Sequence, residues 1–188
     1  EDTHRPEHHE EGLADLSGGR GDGPLHERPR ALVLRGDAGS WSYPPDSDGA
    51  IGPDHYVETV NRNFAVYDKD TGEELINILL GSFLPGSNGD PRCVFDHHSG
   101  RWIVHVCDFS ATATIYLAVS LTDDPTGDWF KTSFRTDQGS DAGRWPDYPT
   151  LGVDEYGIYI AAYMVGGGGM SIFALDKAPL VDDPPELG

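Results

Sequence analysis

The feature that most constrains how this chain folds is one hairpin pattern that occurs three times. Each copy has an aspartate, a short apolar strand, a second aspartate that opens a polar turn, an aromatic residue and a longer apolar strand. The clearest copy runs from Gly89 to Val106, and its turn, Asp96 to Gly100, ends in a glycine suited to positive φ. β-Branched and aromatic residues on both sides of the turn predict a β-hairpin. The other copies begin at Asp48 and Asp147.

A third apolar run follows each hairpin, at Asn63–Tyr67, Ile115–Ser120 and Met170–Leu175. Trp129–Phe134 is predicted to be a fourth strand. The run Leu75–Leu80 fits either an outer strand or a short helix, and analogy with the other units favours the strand. Because the repeat has about the length of a four-stranded blade, the sequence predicts an all-β fold, a β-propeller with about three blades. Propellers close with at least four blades. We therefore expect an incomplete ring, or part of a five-bladed one, with further blades from the rest of a longer protein or from a partner chain.

Three regions are predicted. Residues 1–30 are acidic, rich in histidine and nearly free of apolar side chains, which predicts a disordered arm. Residues 31–180 carry the predicted blades, and residues 181–188 are a linker or a C-terminal end. Two cysteines lie on the central hairpin: its turn places Cys93 opposite Val104 rather than Cys107, so a disulfide would need a different register.

Charge excludes some partners. With 13 basic against 32 acidic residues the net charge is −19, which makes nucleic acid and anionic membranes poor partners. The longest apolar run, Ile158 to Val165, is far shorter than the about 20 residues that a membrane helix needs. We therefore expect no membrane span.

Acidic residues stand at the start of each predicted inner strand, where the strands of a propeller converge on its central channel. Asp46 or Asp48, Asp90 and Asp147 would face one another there, and grouped carboxylates shift each other's pKa and can divide acid, base and nucleophile roles. Trp145 and Tyr148, next to them in sequence, suit the apolar face of a sugar ring. The alternative is that each aspartate caps a turn or strand by bonding local backbone N–H groups.

Clustered carboxylates beside a glycine also suit a hard cation. Asp46-Ser-Asp48-Gly49 makes calcium a candidate cofactor, although its spacing matches no complete calcium loop. No other cofactor is predicted. Asp68–Gly72 and Asp123–Gly127 are similar in composition but are better explained as hairpin turns.

Three motifs resemble successive blade motifs of the five-bladed invertase and fructanase-type glycoside hydrolases. They are Asp46-Ser-Asp48-Gly49, Gly89-Asp90-Pro91 with Arg101-Trp102-Ile103-Val104, and Arg144-Trp145-Pro146-Asp147. The resemblance implies that Asp46 is the nucleophile and Asp90 the transition-state stabiliser. Arg144 stands where that family has its general-acid glutamate, so hydrolysis would need Asp147 or Glu155 as the acid.

A longer resemblance, from about Pro44 to Leu180, is to a group of secreted bacterial propeller-like proteins of unassigned activity. The matching motifs are Pro44-Pro-Asp46, Gly49-Ala50, Gly52-Pro53, His55-Tyr-Val57, Val60-Asn61, Phe64 to Lys69, Gly89 to Pro91 and Pro146 to Val153. This resemblance implies the propeller fold and an extracellular location. It implies no mechanism, since a fold does not determine a function.

The sequence leaves three functions open. The first is an extracellular propeller module that binds a polysaccharide or another surface ligand at the channel mouth, with Asp48, Arg144, Trp145 and Tyr148 as ligand-binding residues. The second is a glycoside hydrolase in which Asp46, Asp90 and Asp147 are catalytic. The orientation of Arg144 distinguishes the binding module from the hydrolase. An arginine that points into the channel would bind an acidic sugar through bidentate contacts, which favours the binding module. The third is a structural or interaction propeller with no small-ligand site.

Overall fold

The computed structural model describes residues 43–110 and 112–182, and 56% of these lie in β-strands. Sheet 1 contains β1 (Asp48–Ile51), β2 (His55–Val60), β3 (Asn63–Asp68) and β4 (Glu74–Leu79). Sheet 2 contains β5 (Gly89–Asp96), β6 (Arg101–Asp108), β7 (Thr114–Ser120) and β8 (Trp129–Arg135). Sheet 3 contains β9 (Trp145–Val153), β10 (Gly157–Val165) and β11 (Gly169–Asp176). All three sheets are antiparallel, which confirms the all-β prediction.

Helices are short. The single turns α1 (Leu80–Phe83) and α2 (Ala178–Val181) follow sheets 1 and 3, and a 3₁₀ turn spans Gly139–Asp141. Within the part of the chain that the structure describes, no helix reaches the length and apolarity needed to cross a bilayer. The predicted arm (residues 1–30) and residues 183–188 of the predicted C-terminal segment lie outside the described residues.

The predicted central hairpin is β5 paired with β6. Cys93 lies opposite Val104, as predicted, and both cysteines are free thiols. In the turn, the Asp96 carboxylate accepts hydrogen bonds from the His98 N–H, over 3.0 Å, and from the Ser99 hydroxyl, over 2.5 Å. Gly100 closes the turn with φ of 67°. These bonds explain why the turn sequence fixes the hairpin register.

Two of the three sheets have the four strands that the sequence predicted for each unit. The apolar run that begins at Leu75 forms the outer strand β4, as analogy suggested, and its last residue, Leu80, begins α1. Sheet 3 has only three strands among the described residues. The propeller arrangement itself stays a prediction.

Sheet 2 is the middle layer, with an apolar cluster on each face. The cluster shared with sheet 1 includes Val57, Phe64, Val66, Cys93, Phe95, Trp102, Val104 and Val106. The cluster shared with sheet 3 includes Ile103, Cys107, Ile115, Leu117, Val119, Ile158 and Ile160. Alternate residues of β6 thus point to opposite clusters, as the period of a strand requires. Burying each large apolar side chain contributes about 1.5–3 kcal/mol, so these two layers are the main source of stability.

The first strands of the three sheets lie side by side, β1 next to β5 and β5 next to β9. Each has a non-glycine residue with positive φ near its start: Asp46 (42°), two residues before β1, Asp90 (52°), the second residue of β5, and Tyr148 (45°), the fourth residue of β9. Such φ values are uncommon outside glycine, so their recurrence marks structurally equivalent positions. Tyr148, rather than Asp147, therefore occupies in sheet 3 the position that Asp46 and Asp90 occupy in sheets 1 and 2. The alignment by sequence alone placed Asp147 there.

A buried ion pair ties sheet 2 to the end of sheet 3. Lys177 Nζ lies 2.7 Å from Asp96 Oδ2, with both side chains almost fully buried, and also donates to the Asp154 carbonyl. Burial opposes ionisation of Asp96, but hydrogen bonds from Lys177, Ser99 and the His98 N–H outweigh it and hold the pKa of Asp96 below its usual value. This pair lies at the end of β5 opposite to Asp90.

Candidate functional site

Three aspartates from three sheets meet at the start of the first strands. The carboxyl groups of Asp46 and Asp90 are in hydrogen-bonding contact, and Asp147 lies near enough to act electrostatically on Asp90. We refer to Asp46, Asp90 and Asp147 as the carboxylate cluster. The structure thus brings together the three residues that the sequence suggested for chemistry, although Asp147 reaches the cluster from the position before Tyr148.

Asn61, the residue after β2, holds two members of the cluster in place. Its Nδ2 donates to Asp46 Oδ2 over 2.5 Å and to the Pro44 carbonyl over 3.1 Å. Its Oδ1 accepts the backbone N–H of Asp90 over 2.8 Å. The side chain is buried, so these bonds are protected from water. Sequence reasoning included Asn61 only in a family motif, because its partners are 15 and 29 residues away.

Two aspartates connect neighbouring sheets rather than cap local turns. Asp90 Oδ2 accepts the Tyr148 N–H over 2.9 Å, and Asp48 Oδ2 accepts the Cys93 N–H over 2.8 Å. The partners are 58 and 45 residues apart in sequence. Asp90 and Asp48 therefore do not have the local cap role that was the alternative. The Asp147 carboxylate makes no hydrogen bond with any described residue, which leaves it available to a ligand.

Asp90 has a raised pKa. Burial is the largest cause; the Tyr148 N–H opposes it, and the charges of Asp46 and Asp147 together with the hydrogen bond to Asp46 raise the pKa further. Two carboxyl groups in contact cannot both ionise freely, so Asp90 keeps its proton to a higher pH than an isolated aspartate does.

Tyr148 follows Asp147 of the cluster in sequence and bonds to Asp90 through its backbone N–H. The side chain is 62% exposed, and the Arg92 guanidinium carbon lies 4.5 Å from the ring centroid in a cation–π contact. Arg92 Nη1 also donates to the Pro91 carbonyl over 2.7 Å. Sequence reasoning proposed Tyr148 but missed Arg92, since nothing in the local sequence relates the two residues.

A buried histidine lies behind Arg92. His105 is opposite Arg92 in the β5–β6 ladder and is fully buried. Burial and the Arg92 charge lower the pKa of His105 to about 3, against an opposing effect of the Thr150 backbone, so the ring is neutral. Neither ring nitrogen makes a hydrogen bond of normal geometry. Leaving such groups unpaired costs about 1–3 kcal/mol.

The remaining candidates have other contacts. Arg144 Nη1 donates to the Ser140 carbonyl over 2.7 Å and to Asp141 Oδ1 over 3.2 Å, so Arg144 is bound to its own loop. The half-buried Trp145 ring packs edge-on against Phe109, with ring centroids 5.7 Å apart. Glu155 follows the far end of β9, about 20 Å along the strand from Asp147. Glu155 therefore does not reach the carboxylate cluster as a replacement acid.

The two composition-based turn predictions are confirmed. Asp68 Oδ1 accepts the N–H groups of Asp70 and Thr71, and Asp124 Oδ1 accepts the Thr126 N–H. Across residues 43–110 and 112–182, no group of three or more His, Cys, Asp or Glu side chains is arranged to hold a metal ion.

No protein-family model matches this chain, and no curated protein is detectably similar to it.

A cleft of about 360 Å³ opens where β4 meets α1, and none of the carboxylate-cluster residues lines it. Its lining includes Arg62, which follows Asn61, and Asn88, which precedes Gly89 and Asp90. Leu79, Leu80 and Gly81 supply an apolar wall. This volume is in the range of small-ligand sites.

Proposed function

We propose that this protein is an extracellular β-propeller module that binds a carbohydrate, such as a segment of polysaccharide, at the carboxylate cluster. The observation that carries the proposal is the convergence of Asp46, Asp90 and Asp147 from three sheets, with the exposed Tyr148 bonded to Asp90 through its backbone N–H. The side-by-side first strands and the recurring positive-φ residue support the interpretation of the sheets as successive blades. The extracellular location follows from the resemblance to secreted proteins.

The chemistry of the site suits sugar hydroxyl groups. The unpaired Asp147 carboxylate can accept hydroxyl hydrogen bonds, and bonds to a charged group contribute about 1.5–3 kcal/mol each. The Tyr148 ring offers an apolar surface to the C–H face of a sugar, and Arg92 behind it holds the ring in position. Arg144 contributes less than its place in the motif suggested, because its guanidinium is already bonded to Ser140 and Asp141.

Hydrolysis of a glycosidic bond is the second candidate function. The observation that favours it is the contact between the Asp46 and Asp90 carboxyl groups, which together with burial raises the pKa of Asp90, because a general acid must hold its proton to a higher pH than an ordinary carboxyl group does. The pair that flanks the bond in retaining enzymes is about 5–5.5 Å apart, whereas Asp46 and Asp90 are in hydrogen-bonding contact. A hydrolytic site would therefore have to pair Asp147 with Asp90.

A glycan and polysaccharide panel tests both candidates, with ligand binding and released sugar measured on the same samples. Asp147→Asn is the informative variant, since Asp147 makes no hydrogen bond within the fold. Asp70→Asn, in the exposed β3–β4 turn, is its matched control. Binding without release, lost in Asp147→Asn and kept in Asp70→Asn, supports the binding module. Release of sugar that Asp147→Asn abolishes supports the hydrolase.

The same panel is repeated with EDTA and with Asp90→Asn. Loss of binding in EDTA would add calcium to the site. Release that survives Asp90→Asn would remove Asp90 from the acid role. No response to any glycan would overturn both candidates and leave a structural or interaction propeller.

A further inference from the structure

The cleft where β4 meets α1 combines an apolar wall with polar groups. Leu79 and Leu80 form the wall, and Leu79 is 60% exposed. The other lining residues are Arg62, Gly81, Ser82, Ser87 and Asn88. Small-ligand pockets commonly pair apolar surface with a few polar groups in this way. Because no residue of the carboxylate cluster lines the cleft, a ligand bound there would occupy a separate site.

Arg62 differs from the other basic residues in having no partner within the described part of the chain. Every other lysine and arginine side chain there is bound to a carboxylate, a backbone carbonyl or an aromatic ring. These side chains are Lys69, Arg92, Arg101, Lys131, Arg135, Arg144 and Lys177. The Arg62 guanidinium makes no hydrogen bond or ion pair with any residue of 43–110 or 112–182. Its N–H donors are therefore available to a ligand.

The lining of the cleft has a charge opposite to that of the chain as a whole. The protein has 13 basic against 32 acidic residues, yet the described lining contains Arg62 and no Asp or Glu. Asp108, which accepts a hydrogen bond from Asn88 Nδ2 over 2.9 Å, is buried and also bonded to the Ser110 hydroxyl. An anion in the cleft would therefore contact a cation without a carboxylate of the described lining to repel it.

The backbone at Arg62 is strained. Arg62 lies in the β2–β3 turn with φ of 86°, in the region that favours glycine. A non-glycine residue in this region costs conformational free energy, and such residues cluster at binding and catalytic sites. Glycine would relieve the strain but would remove the charged group from the described lining of the cleft. The strain is thus a second observation that points to a function for the Arg62 side chain.

Hydrogen bonds hold the walls of the cleft in place. The Leu80 N–H donates to the Arg62 carbonyl over 2.6 Å, which ties the start of α1 to the β2–β3 turn. The Asn88 N–H donates to the Cys107 carbonyl over 2.9 Å, and the Asn88 side chain is bonded to Asp108. A site that is ordered before the ligand arrives loses less conformational entropy on binding.

We propose that the cleft binds a small organic anion, a carboxylate attached to an apolar body. The Arg62 guanidinium matches the two oxygens of a carboxylate in bidentate geometry. The exposed Ser82 hydroxyl makes no hydrogen bond with a described residue and can donate to the same group. Leu79 and Leu80 cover the apolar body, whereas a small inorganic anion would leave them in contact with water. The proposal does not rest on glycan binding, because neither the carboxylate cluster nor Tyr148 takes part.

The test is a ¹⁵N-resolved NMR titration of the full chain with sodium hexanoate at constant ionic strength, with 1-hexanol as the uncharged analogue. Hexanoate should shift the amide signals of Gly81, Ser82 and Asn88 and reach saturation. It should bind at least about 10-fold more tightly than hexanol, because only the carboxylate bonds to Arg62. Acetate, which has the charge without the alkyl chain, should bind more weakly than hexanoate.

Arg62→Gln should weaken hexanoate binding at least about 10-fold and leave hexanol binding unchanged. Lys69→Gln is the matched control: it removes the same charge at an exposed turn residue outside the cleft and should leave the affinity for hexanoate within about twofold of the wild type. Leu79→Glu is a second, independent change at an exposed position. It adds a carboxylate to the lining that competes with hexanoate for Arg62, so it should weaken hexanoate binding by a similar factor.

Circular dichroism shows whether each variant is folded, and Leu79→Glu decides the matter if Arg62→Gln is not. The absence of saturable shifts at Gly81, Ser82 and Asn88 would overturn the proposal. So would equal affinity for hexanoate and hexanol, or hexanoate binding that Arg62→Gln and Leu79→Glu leave unchanged. An equal loss of hexanoate binding in Lys69→Gln would also overturn it, because net charge rather than the cleft would then determine binding.

Discussion

The backbone N–H of Tyr148 donates to Asp90 Oδ2 over 2.9 Å, and this bond joins the first strand of sheet 3 to that of sheet 2. Asp90 itself is held from the other side, where its N–H donates to Asn61 of sheet 1. One residue of the middle sheet thus bonds to both neighbours at the point where the carboxylate cluster forms. Assembly of the cluster and packing of the three sheets are therefore coupled.

Asp90→Ala should destabilise the fold by about 1–3 kcal/mol. The substitution removes the acceptor and leaves the Tyr148 N–H without its partner. Asp90→Asn should destabilise the fold less than Asp90→Ala does. The amide oxygen can still accept the hydrogen bond from the Tyr148 N–H, and the repulsion from Asp46 and Asp147 disappears. Urea denaturation of both variants measures the difference. Asp70→Ala, in an exposed turn, should be within about 0.5 kcal/mol of the wild type; equal stability of Asp90→Ala and Asp70→Ala would contradict the coupling.

The pH dependence of stability should differ between the wild type and Asp90→Asn. The pKa of Asp90 is raised in the folded state above its ordinary value of 3.8. At pH values between 3.8 and the pKa of the folded state, the folded protein therefore binds more protons than the unfolded chain. Stability contributed by Asp90 therefore falls as pH rises through that window. The melting temperature of Asp90→Asn minus that of the wild type should increase from about pH 4 toward neutral. A difference that is constant with pH would show that Asp90 titrates normally.

Local sequence was enough to predict the hairpins and not enough to predict the cluster's supports. The register of Cys93 opposite Val104 could be predicted because Asp96 and Gly100 determine the turn, and strand period does the rest. Tyr148 occupies the position that the sequence alignment assigned to Asp147. An irregularity in the β9–β10 register shifts the strand by one residue, and the sequence spacing of the residues does not reveal it. Asn61 and Arg92 act through partners on other strands or sheets, which periodicity does not reveal.

Lys177→Met should destabilise the protein by about 3–5 kcal/mol, because it leaves the buried Asp96 carboxylate without its cation. The lowered pKa of Asp96 sets the pH window: its contribution is present above the ordinary value of 3.8 and is lost as pH falls through the folded pKa. Chemical denaturation at neutral pH measures the loss. The exposed Lys69, which donates to the Gly52 carbonyl, gives the control Lys69→Met, which should cost far less.

His105→Leu should leave the protein as stable or stabilise it by about 1 kcal/mol. The substitution has similar volume and removes two buried nitrogens that make no normal hydrogen bond. Thermal unfolding tests the expectation, with Thr59→Leu as control, since Thr59 is the buried equivalent in sheet 1 but donates to the Asp48 carbonyl. A marked loss of stability in His105→Leu would mean that a bound water satisfies the ring.

Tyr148→Gly separates stability from binding. Glycine adopts φ near 45° without the strain that tyrosine bears there, a gain of about 1–3 kcal/mol, against about 0.5–1 kcal/mol for the lost cation–π contact with Arg92. The N–H that donates to Asp90 remains. We therefore expect an equal or higher melting temperature, together with glycan affinity reduced at least about 10-fold through loss of the ring surface. Tyr156→Gly, at another exposed tyrosine in the β9–β10 turn, should keep full affinity. If Tyr148→Gly bound glycan as well as the wild type, Tyr148 would have no part in recognition, and its positive φ would only shape the strand.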